Sequence, residues 1–288
     1  SGNNLDKMTA NSLERLINVV NNQLLEQAGK VEIAGRMLVN DPAVIYAIQR
    51  NETQPLEKAA GRLMSCASLA AIRFYDRSGR MISYVKGDGV NTEKAAANDI
   101  KQIPGVRGRV TIEDAGDGKF VQRGIFDLVS RDGVYGAVAV DAYVSSDKFV
   151  DSIKNATGAE ATIFYKDTRS ATTILKEGKR AVGTTLNNGR ISEIVLEKGG
   201  QYFGVNMIVG KEYSTVYWPL KTGNGKIEGL FFVGEPREVY NAAKQGMNLG
   251  FIIIACITAL LVAVYSFFFS RGLSGILKKI AGGAIATA

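Results

Sequence analysis

Histidine is absent from all 288 residues of this chain. That removes the side chain most used as general base and metal ligand, and with it Ser-His-Asp and Cys-His catalysis. An enzyme is therefore not expected, nor is a cofactor. Proline occurs only five times, and the single tryptophan is Trp218. No low-complexity tract is present. The net charge is +7, but Lys and Arg are scattered among Asp and Glu, so no basic stripe marks a nucleic-acid binder. Weak attraction for small anions is the more modest consequence.

Charge is missing altogether from "FIIIACITALLVAVYSFFFS", residues Phe251 to Ser270. Twenty residues at helical rise cover about 30 Å, the thickness of a bilayer core. A helix apolar on every face over that length is expected to span a membrane rather than fill a globular core. Arg271, Lys278 and Lys279 follow it with no acid out to Ala288, whereas Glu235, Arg237, Glu238 and Lys244 precede it as a mixed set. By the positive-inside rule the tail is cytoplasmic and everything before the span is outside. Cys66 and Cys256 then stand on opposite sides of the headgroup boundary, so no disulfide is expected. The chain opens on "SGNNLDKM" without a leader and stops in "AGGAIATA". The expectation is a piece of a longer protein, with another span upstream and an output domain downstream; a short tail-anchored protein is the alternative.

What is present is a folded region of two-domain size, 46% hydrophobic with 32 glycines. Leu13, Leu16, Ile17, Val20, Leu24, Ala28 and Val31 recur at spacings of three and four, and the pattern continues past Ile33 to Leu38. This predicts a helix of more than thirty residues, either core or a dimer seam, suited to a stalk. "NDPAVIYAI" starts a second helix with Asp41 as cap and Pro42 in first position. From Leu69 the period becomes two: "LAAIRFYDRSGRMISYV" reads as a hairpin turning at Arg77 to Gly79. A short polar helix near Thr92 to Ile103 follows. Strands are then expected at "RVTIED", "FVQRGIFDLVS" and "VYGAVAVDAYV", with turns at "AGDG" and "SRDG", and a helix at "SSDKFVDSIKNATG".

The order then repeats. "ATIFYKDTRSATTIL" echoes "AAIRFYDRSGRMISY", with Tyr165 90 residues after Tyr75; "PLKTGNGKIEGLFFVGE" echoes "LVSRDGVYGAVAVDA", with Gly229 93 residues after Gly136. Two echoes in order at nearly one offset indicate tandem copies of one unit. The second copy is more compact, with "ISEIVLEKGG" as its helix and "YFGVNMIVGKEYSTVYWPLK" as its central hairpin.

The second copy carries D-T-R, a following T-T, G-x-R-x-x-G-T, a Tyr-Gly hairpin and a closing G-x-x-x-V-G. In these it closely resembles the membrane-proximal Cache module of bacterial transmembrane receptors. The similarity extends over Ala34 to Ser146, so the whole resembles a double-Cache sensor of methyl-accepting chemotaxis proteins. "SRGLSGILKKIAGG" is similar to the opening of a HAMP linker, although Ser274 or Gly275 stands where that linker usually has proline.

The resemblance implies an α+β chain with a long N-terminal helix (1–40), a membrane-distal Cache (PAS-like) module with an antiparallel sheet (41–154), and a membrane-proximal one (155–240). A transmembrane helix (247–270) and the start of a cytoplasmic HAMP linker (271–288) complete it. It also implies a homodimer in the bacterial inner membrane, a periplasmic sensor region, a small-molecule ligand and a downstream cytoplasmic signalling domain. A histidine kinase or diguanylate cyclase would use the same outside region.

Candidate ligand residues follow from which positions share a sheet face. Arg73 and Tyr75 do, as do Arg123 and Asp127. An Arg facing a pocket holds a carboxylate bidentately, and Tyr75, Asp127, Asp141 and Tyr143 complete a cage; alternatively these polar positions face water. In the second copy Arg169, Thr172 and Thr173 offer a cation and two hydroxyls, unless Arg169 instead pairs with Asp167 or Glu160. Tyr202 and Tyr217 are pocket walls or sheet packing, and Trp218 is packing. The amino-acid-binding version of the distal module carries a spaced Tyr, Arg, Trp, Tyr, Asp set, whereas the one Trp here lies in the other module. A small carboxylate is the first expectation for the ligand, with an uncharged metabolite, or no ligand in one module, as alternatives. "IEDAGD" places Glu113, Asp114 and Asp117 together, but a turn explains them better than a calcium loop.

Overall fold

The structure, a computed structural model, describes residues 7–87, 100–102, 105–131, 133–237 and 255–262. The chain divides into two units, 1–236 and 237–288. In the second unit residues 255–262 are helical and exposed. The rest of the expected span and the expected HAMP start at 271–288 lie outside the described residues. No helix among the described residues is long and apolar enough to cross a membrane.

The first unit opens with α1 (Lys7–Val39), α2 (Pro42–Arg50) and α3 (Thr53–Ala67). Its first sheet is β1 (Ala71–Asp76), β2 (Met81–Lys86), β3 (Val110–Gly116), β4 (Lys119–Ser130) and β5 (Gly133–Tyr143). Helix α4 (Asp147–Thr157) leads to β6 (Glu160–Tyr165) and β7 (Thr168–Thr172), the short β8 (Leu175–Lys176) and β9 (Lys179–Arg180), and α5 (Gly189–Ser192). A π turn at Glu193–Glu197 follows, then β10 (Tyr202–Ile208), β11 (Lys211–Lys221) and β12 (Ile227–Pro236).

Helix α1 is long because its apolar stripe continues over nine turns, and ion pairs Glu26–Lys30 (2.7 Å) and Glu32–Arg36 (2.8 Å) support its wet side. The stripe does not form a free stalk. Leu13, Leu16, Ile17 and Val20 enter a core with the second sheet, and Val31, Ala34 and Leu38 enter another with the first. Each such buried aliphatic side chain contributes about 1.5–3 kcal/mol, which fastens one helix across both sheets. Asp41 caps α2 as expected, its carboxylate accepting from Ala43 N at 2.8 Å. Helix α3 went unmarked in the sequence pattern. The polar helix expected near Thr92 to Ile103 falls mostly outside the described residues; Ile100–Gln102 form one 3-10 turn.

The duplication is visible in the strand order. The first sheet runs β2-β1-β5-β4-β3; the second, read from its other edge, runs β7-β6-β12-β11-β10, the same order copy for copy. Neighbours in both are antiparallel. In each sheet one face packs on α1 and its core, and the far face carries a separate cluster.

The sheets also correct the sequence echo. Gly136 stands opposite Asp76, and Gly229 stands opposite Tyr165. With the glycines equivalent, Tyr75 matches Phe164 rather than Tyr165. A one-residue slip flips a side chain to the other face. Tyr75 accordingly lies on a far face, whereas Tyr165 packs towards the α1 side.

The β3–β4 hairpin of the first sheet leans on the second. Tyr165 Oη donates to Asp114 Oδ2 at 2.9 Å, Ser170 Oγ to the Gly118 carbonyl at 2.5 Å, and Gly223 N to the Ile112 carbonyl at 3.0 Å. The Asp114 contact lifts the Tyr165 phenol to about 12, with partial burial adding to it.

Candidate functional site

On the first sheet, strand alternation puts Arg73, Tyr75, Arg123, Asp141 and Tyr143 on the far face. The register brings them together, since Arg123 is opposite Asp141 across β4–β5 and Arg73 is opposite Tyr84 across β1–β2. These polar residues do not face water: Arg73, Arg123 and Asp141 are each 2% exposed or less. Burying charges is costly unless they are paired and hydrogen-bonded. Here Arg123 Nε donates to Asp141 Oδ1 at 2.7 Å, Arg123 Nη2 to Oδ2 at 2.8 Å, and Arg73 Nη1 to Oδ2 at 2.8 Å. Burial alone would raise the Asp141 carboxyl, but the two guanidiniums outweigh it and hold it at about 2. Burial would lower Arg73; Asp141 reverses this and holds it above the ordinary arginine range.

The Arg73 guanidinium lies 4.9 Å from the centre of the Tyr84 ring, a cation–π contact. Its Nε and the Tyr75 hydroxyl are both buried without a hydrogen-bond partner among the described residues. Burial pushes the Tyr75 phenol up to about 12 against the pull of Arg73 and Arg123, so it is a neutral donor at pH 7. Tyr143, half-buried, is pushed to about 12 chiefly by burial. Asp127, at the rim of this face, is paired with Arg107. Ile100, Ile125, Ala137 and Ala139 form the apolar cluster around Tyr75.

On the second sheet the ladder equivalents of Arg73, Arg123 and Asp141 are Thr162, Thr215 and Gly234. The cation sits elsewhere, at Arg169 on β7, with 9% exposure. Its Nη1 donates to Thr184 Oγ1 at 2.8 Å and to the Thr185 carbonyl at 3.3 Å, and its guanidinium lies 5.0 Å from the Phe164 ring centre. Arg169 Nε is buried without a hydrogen-bond partner among the described residues. The pairing with Asp167 or Glu160 is not found: Glu160 binds Lys154 at 2.7 Å and Thr173, and Asp167 accepts from Thr168. Among the described residues no carboxylate forms an ion pair with Arg169, and burial lowers its guanidinium, opposed only by Tyr217.

The threonines do not join Arg169. Thr172 shares a 2.6 Å bond with Thr162, and the Thr173 hydroxyl is taken by Glu160 and the Ala161 backbone. Tyr202 and Tyr217 meet edge to face at 6.1 Å, and Tyr217 packs on Phe232 at 5.0 Å inside the far-face core. Trp218 stacks on Phe231 at 5.3 Å on the α1 side, as packing. Sequence reasoning missed Tyr84, Thr184 and Thr185. Tyr84 was out of reach of simple counting, which sets Ser83 opposite Arg73; a register shift between Phe74 and Tyr75 brings Tyr84 there instead.

A cleft of about 1050 Å³ is lined by parts of α1, α3, β2, α4 and β7. Of the sequence-predicted residues it takes in Tyr143 alone. Among the described residues no group of acids and cysteines could hold a metal ion. In particular Asp114 is occupied by Tyr165 and the Gly116 amide, and Glu113 by Thr111.

With this geometry in hand, comparison with known proteins places the fold. No curated protein matches the chain. The periplasmic domain of Vibrio cholerae LuxQ superposes with a TM-score of 0.52 at 10% identity, covering 78% of this chain and 99% of that one. The ligand-binding domain of the Campylobacter jejuni chemoreceptor Tlp3, in complex with 4-methylisoleucine, gives 0.48 at 10% identity, covering 82% and 94%. Residues 142–246, which hold the second sheet, match the family described as single cache domain 3. The chain thus carries a Cache domain over those residues, in a fold shared with a bacterial periplasmic domain.

Proposed function

We propose that this chain is the ligand-sensing extracytoplasmic and transmembrane part of a bacterial chemoreceptor, a binding and signalling module and not an enzyme. In this reading both sheets are Cache modules, the first membrane-distal and the second membrane-proximal. The protein is a homodimer in the inner membrane, with Phe251–Ser270 as its span and 271–288 as the start of a HAMP linker towards a cytoplasmic signalling domain. The ligand is a small organic acid. The observation that carries the ligand class is that both far faces hold a buried guanidinium with a donor unpartnered among the described residues, Arg73 Nε in one and Arg169 Nε in the other. The single cache domain 3 match and the likeness to a periplasmic domain support the sensor reading.

Ligand binding shifts a signalling equilibrium only if it favours one conformer. A ligand that draws a far face together would move β12, whose end at Pro236 leads into the exit segment, and so displace the membrane helix against its partner by a small piston or rotation. Thermal melting of the purified chain against organic acids, amino acids, purines and amines tests the reading. Saturable stabilisation by acids is expected; no shift with any class in a well-folded sample would overturn the small-molecule sensor. Disulfide crosslinking along Phe251–Ser270 that ignores the stabilising acid would count against the transmission step.

A further inference from the structure

We infer that the cleft framed by α1, α3, β2, α4 and β7 is a ligand site of its own, and that it takes a small molecule carrying two or more phosphate groups. Its volume of about 1050 Å³ stands at the upper end of small-molecule pockets, roughly 300–1,000 Å³. A single phosphate or a short carboxylic acid would leave most of it to water. Neither Arg73 nor Arg123 nor Arg169 lines it, so the site is independent of the acid-sensing reading and holds or fails without it.

The charge around the cleft is unbalanced. Among the described residues its charged lining is Glu26, Lys30, Lys86, Lys119, Asp147 and Lys148. Glu26 is taken by Lys30 at 2.7 Å, and Asp147 by Arg180, which stands outside the lining, at 3.2 Å. The other three lysines form no ion pair among the described residues. Lys148 Nζ donates to the neutral Ser68 Oγ at 2.5 Å, and Lys86 Nζ lies 5.5 Å from the centre of the Tyr84 ring. Lys119 is half-buried, and its ammonium makes no hydrogen bond among the described residues. Drawing a cation out of water without a counterion is unfavourable, and a bound anion offsets that cost.

The donor types decide between phosphate and carboxylate. No arginine lines the cleft among the described residues, so the planar fork that grips a carboxylate with two parallel bonds is missing. Ammonium groups are point charges on flexible stems, and they meet the tetrahedral oxygens of a phosphate without needing a shared plane. Two hydroxyls in the lining stand with them. Ser145 Oγ accepts from Phe120 N at 2.9 Å and Ser146 Oγ from Phe149 N at 3.2 Å, and neither hydroxyl donates to an acceptor among the described residues. A hydroxyl donates as well as accepts, so each keeps a proton for a phosphate oxygen. The three lysines come from different places, the end of β2, the start of β4 and the first turn of α4, which suits several anionic groups on one frame better than a single one. Met64, Leu69 and Phe149 supply apolar wall for that frame.

Calorimetric titration of inorganic tripolyphosphate into the full chain tests this, with orthophosphate and citrate as competitors and with Lys119→Gln, Lys148→Gln and Lys221→Gln as variants. Lys221 is exposed at the end of β11 and does not line the cleft, so its variant controls for loss of charge alone. Each substitution removes a cation that has no ion pair among the described residues, so the fold is retained. The expected result is saturable tripolyphosphate binding that falls about tenfold in at least one cleft variant and is unchanged in Lys221→Gln. Orthophosphate and citrate are expected to compete at least tenfold more weakly. Citrate competing on equal terms overturns the assignment to phosphate. Unchanged affinity in both cleft variants, or an equal loss in all three, reveals diffuse attraction to a basic protein and overturns the site. No tripolyphosphate binding to a well-folded chain overturns it outright, whatever acids do at Arg123 and Arg169.

Discussion

Phe120 occupies the space that a side chain on Gly229 would need: its Cε2 is 2.9 Å from where a Cβ would stand, and the Phe164 carbonyl oxygen is 2.0 Å from it. The equivalent glycine of the first sheet, Gly136, has Ile48 Cγ2 at 2.9 Å and the Tyr75 carbonyl oxygen at 2.3 Å. The β4 strand of the first sheet therefore does for the second sheet what α2 does for the first, covering the same notch with an apolar side chain. Gly229→Ala is expected to force β12 from β6 and to cost about 3 kcal/mol, read by chemical denaturation. A cost under 0.5 kcal/mol would show that the contact is slack.

Asp141 should dominate the acid limb of stability. Its folded pKa, about 2, lies below its ordinary 3.8, so folding favours the ionised form. The contribution is complete above about pH 5 and disappears as pH falls through 2; a shift of that size corresponds to about 2.5 kcal/mol. Asp141→Asn removes the charge at every pH and leaves two guanidiniums buried together, so it should cost about 3–5 kcal/mol at pH 7. The difference between wild type and this variant should shrink between pH 4 and pH 2. A gap that stays constant over that range would contradict the assignment.

Tyr165→Phe deletes the 2.9 Å bond to Asp114 but keeps the ring that packs 5.3 Å from Phe120. A partly buried bond to a carboxylate is worth about 1.5 kcal/mol. The loss should appear as faster hydrogen exchange at the β3–β4 hairpin, with the β1–β2 amides unchanged.

Arg169 behaves differently from Arg73. Having no carboxylate partner among the described residues, it gives up little when its charge is removed, so Arg169→Gln should cost about 1 kcal/mol or less in the unliganded protein. A loss of several kcal/mol would reveal a structural ion pair in place of a spare cation.

Much of this was legible in the sequence because periodicity encodes faces. The α1 stripe, the Asp41 cap, both hairpins and the repeat follow from spacing, and alternation alone placed Arg73 with Tyr75. Spacing does not encode register. The echo of Tyr75 in Tyr165 ran one residue out, and in the ladders Phe164 is the residue equivalent to Tyr75. The pairing of Asp141 with two arginines depends on β5 lying between β1 and β4, a long-range adjacency that no local pattern states. Arg169 was found from its neighbours Thr172 and Thr173, yet its partners are Thr184 and Thr185, brought back by a loop over β7. Helix α3 was missed because its wet face and short apolar side gave no period strong enough to compete with the strands that follow.

The measurement closest to the central claim is a calorimetric titration of the most stabilising acid into the wild-type chain, Arg123→Ala and Arg169→Ala, each first shown to melt cooperatively. The account predicts saturable binding to the wild type and its loss in at least one variant, the lost one naming the working sheet. Equal affinity in all three would contradict a site built on either buried arginine.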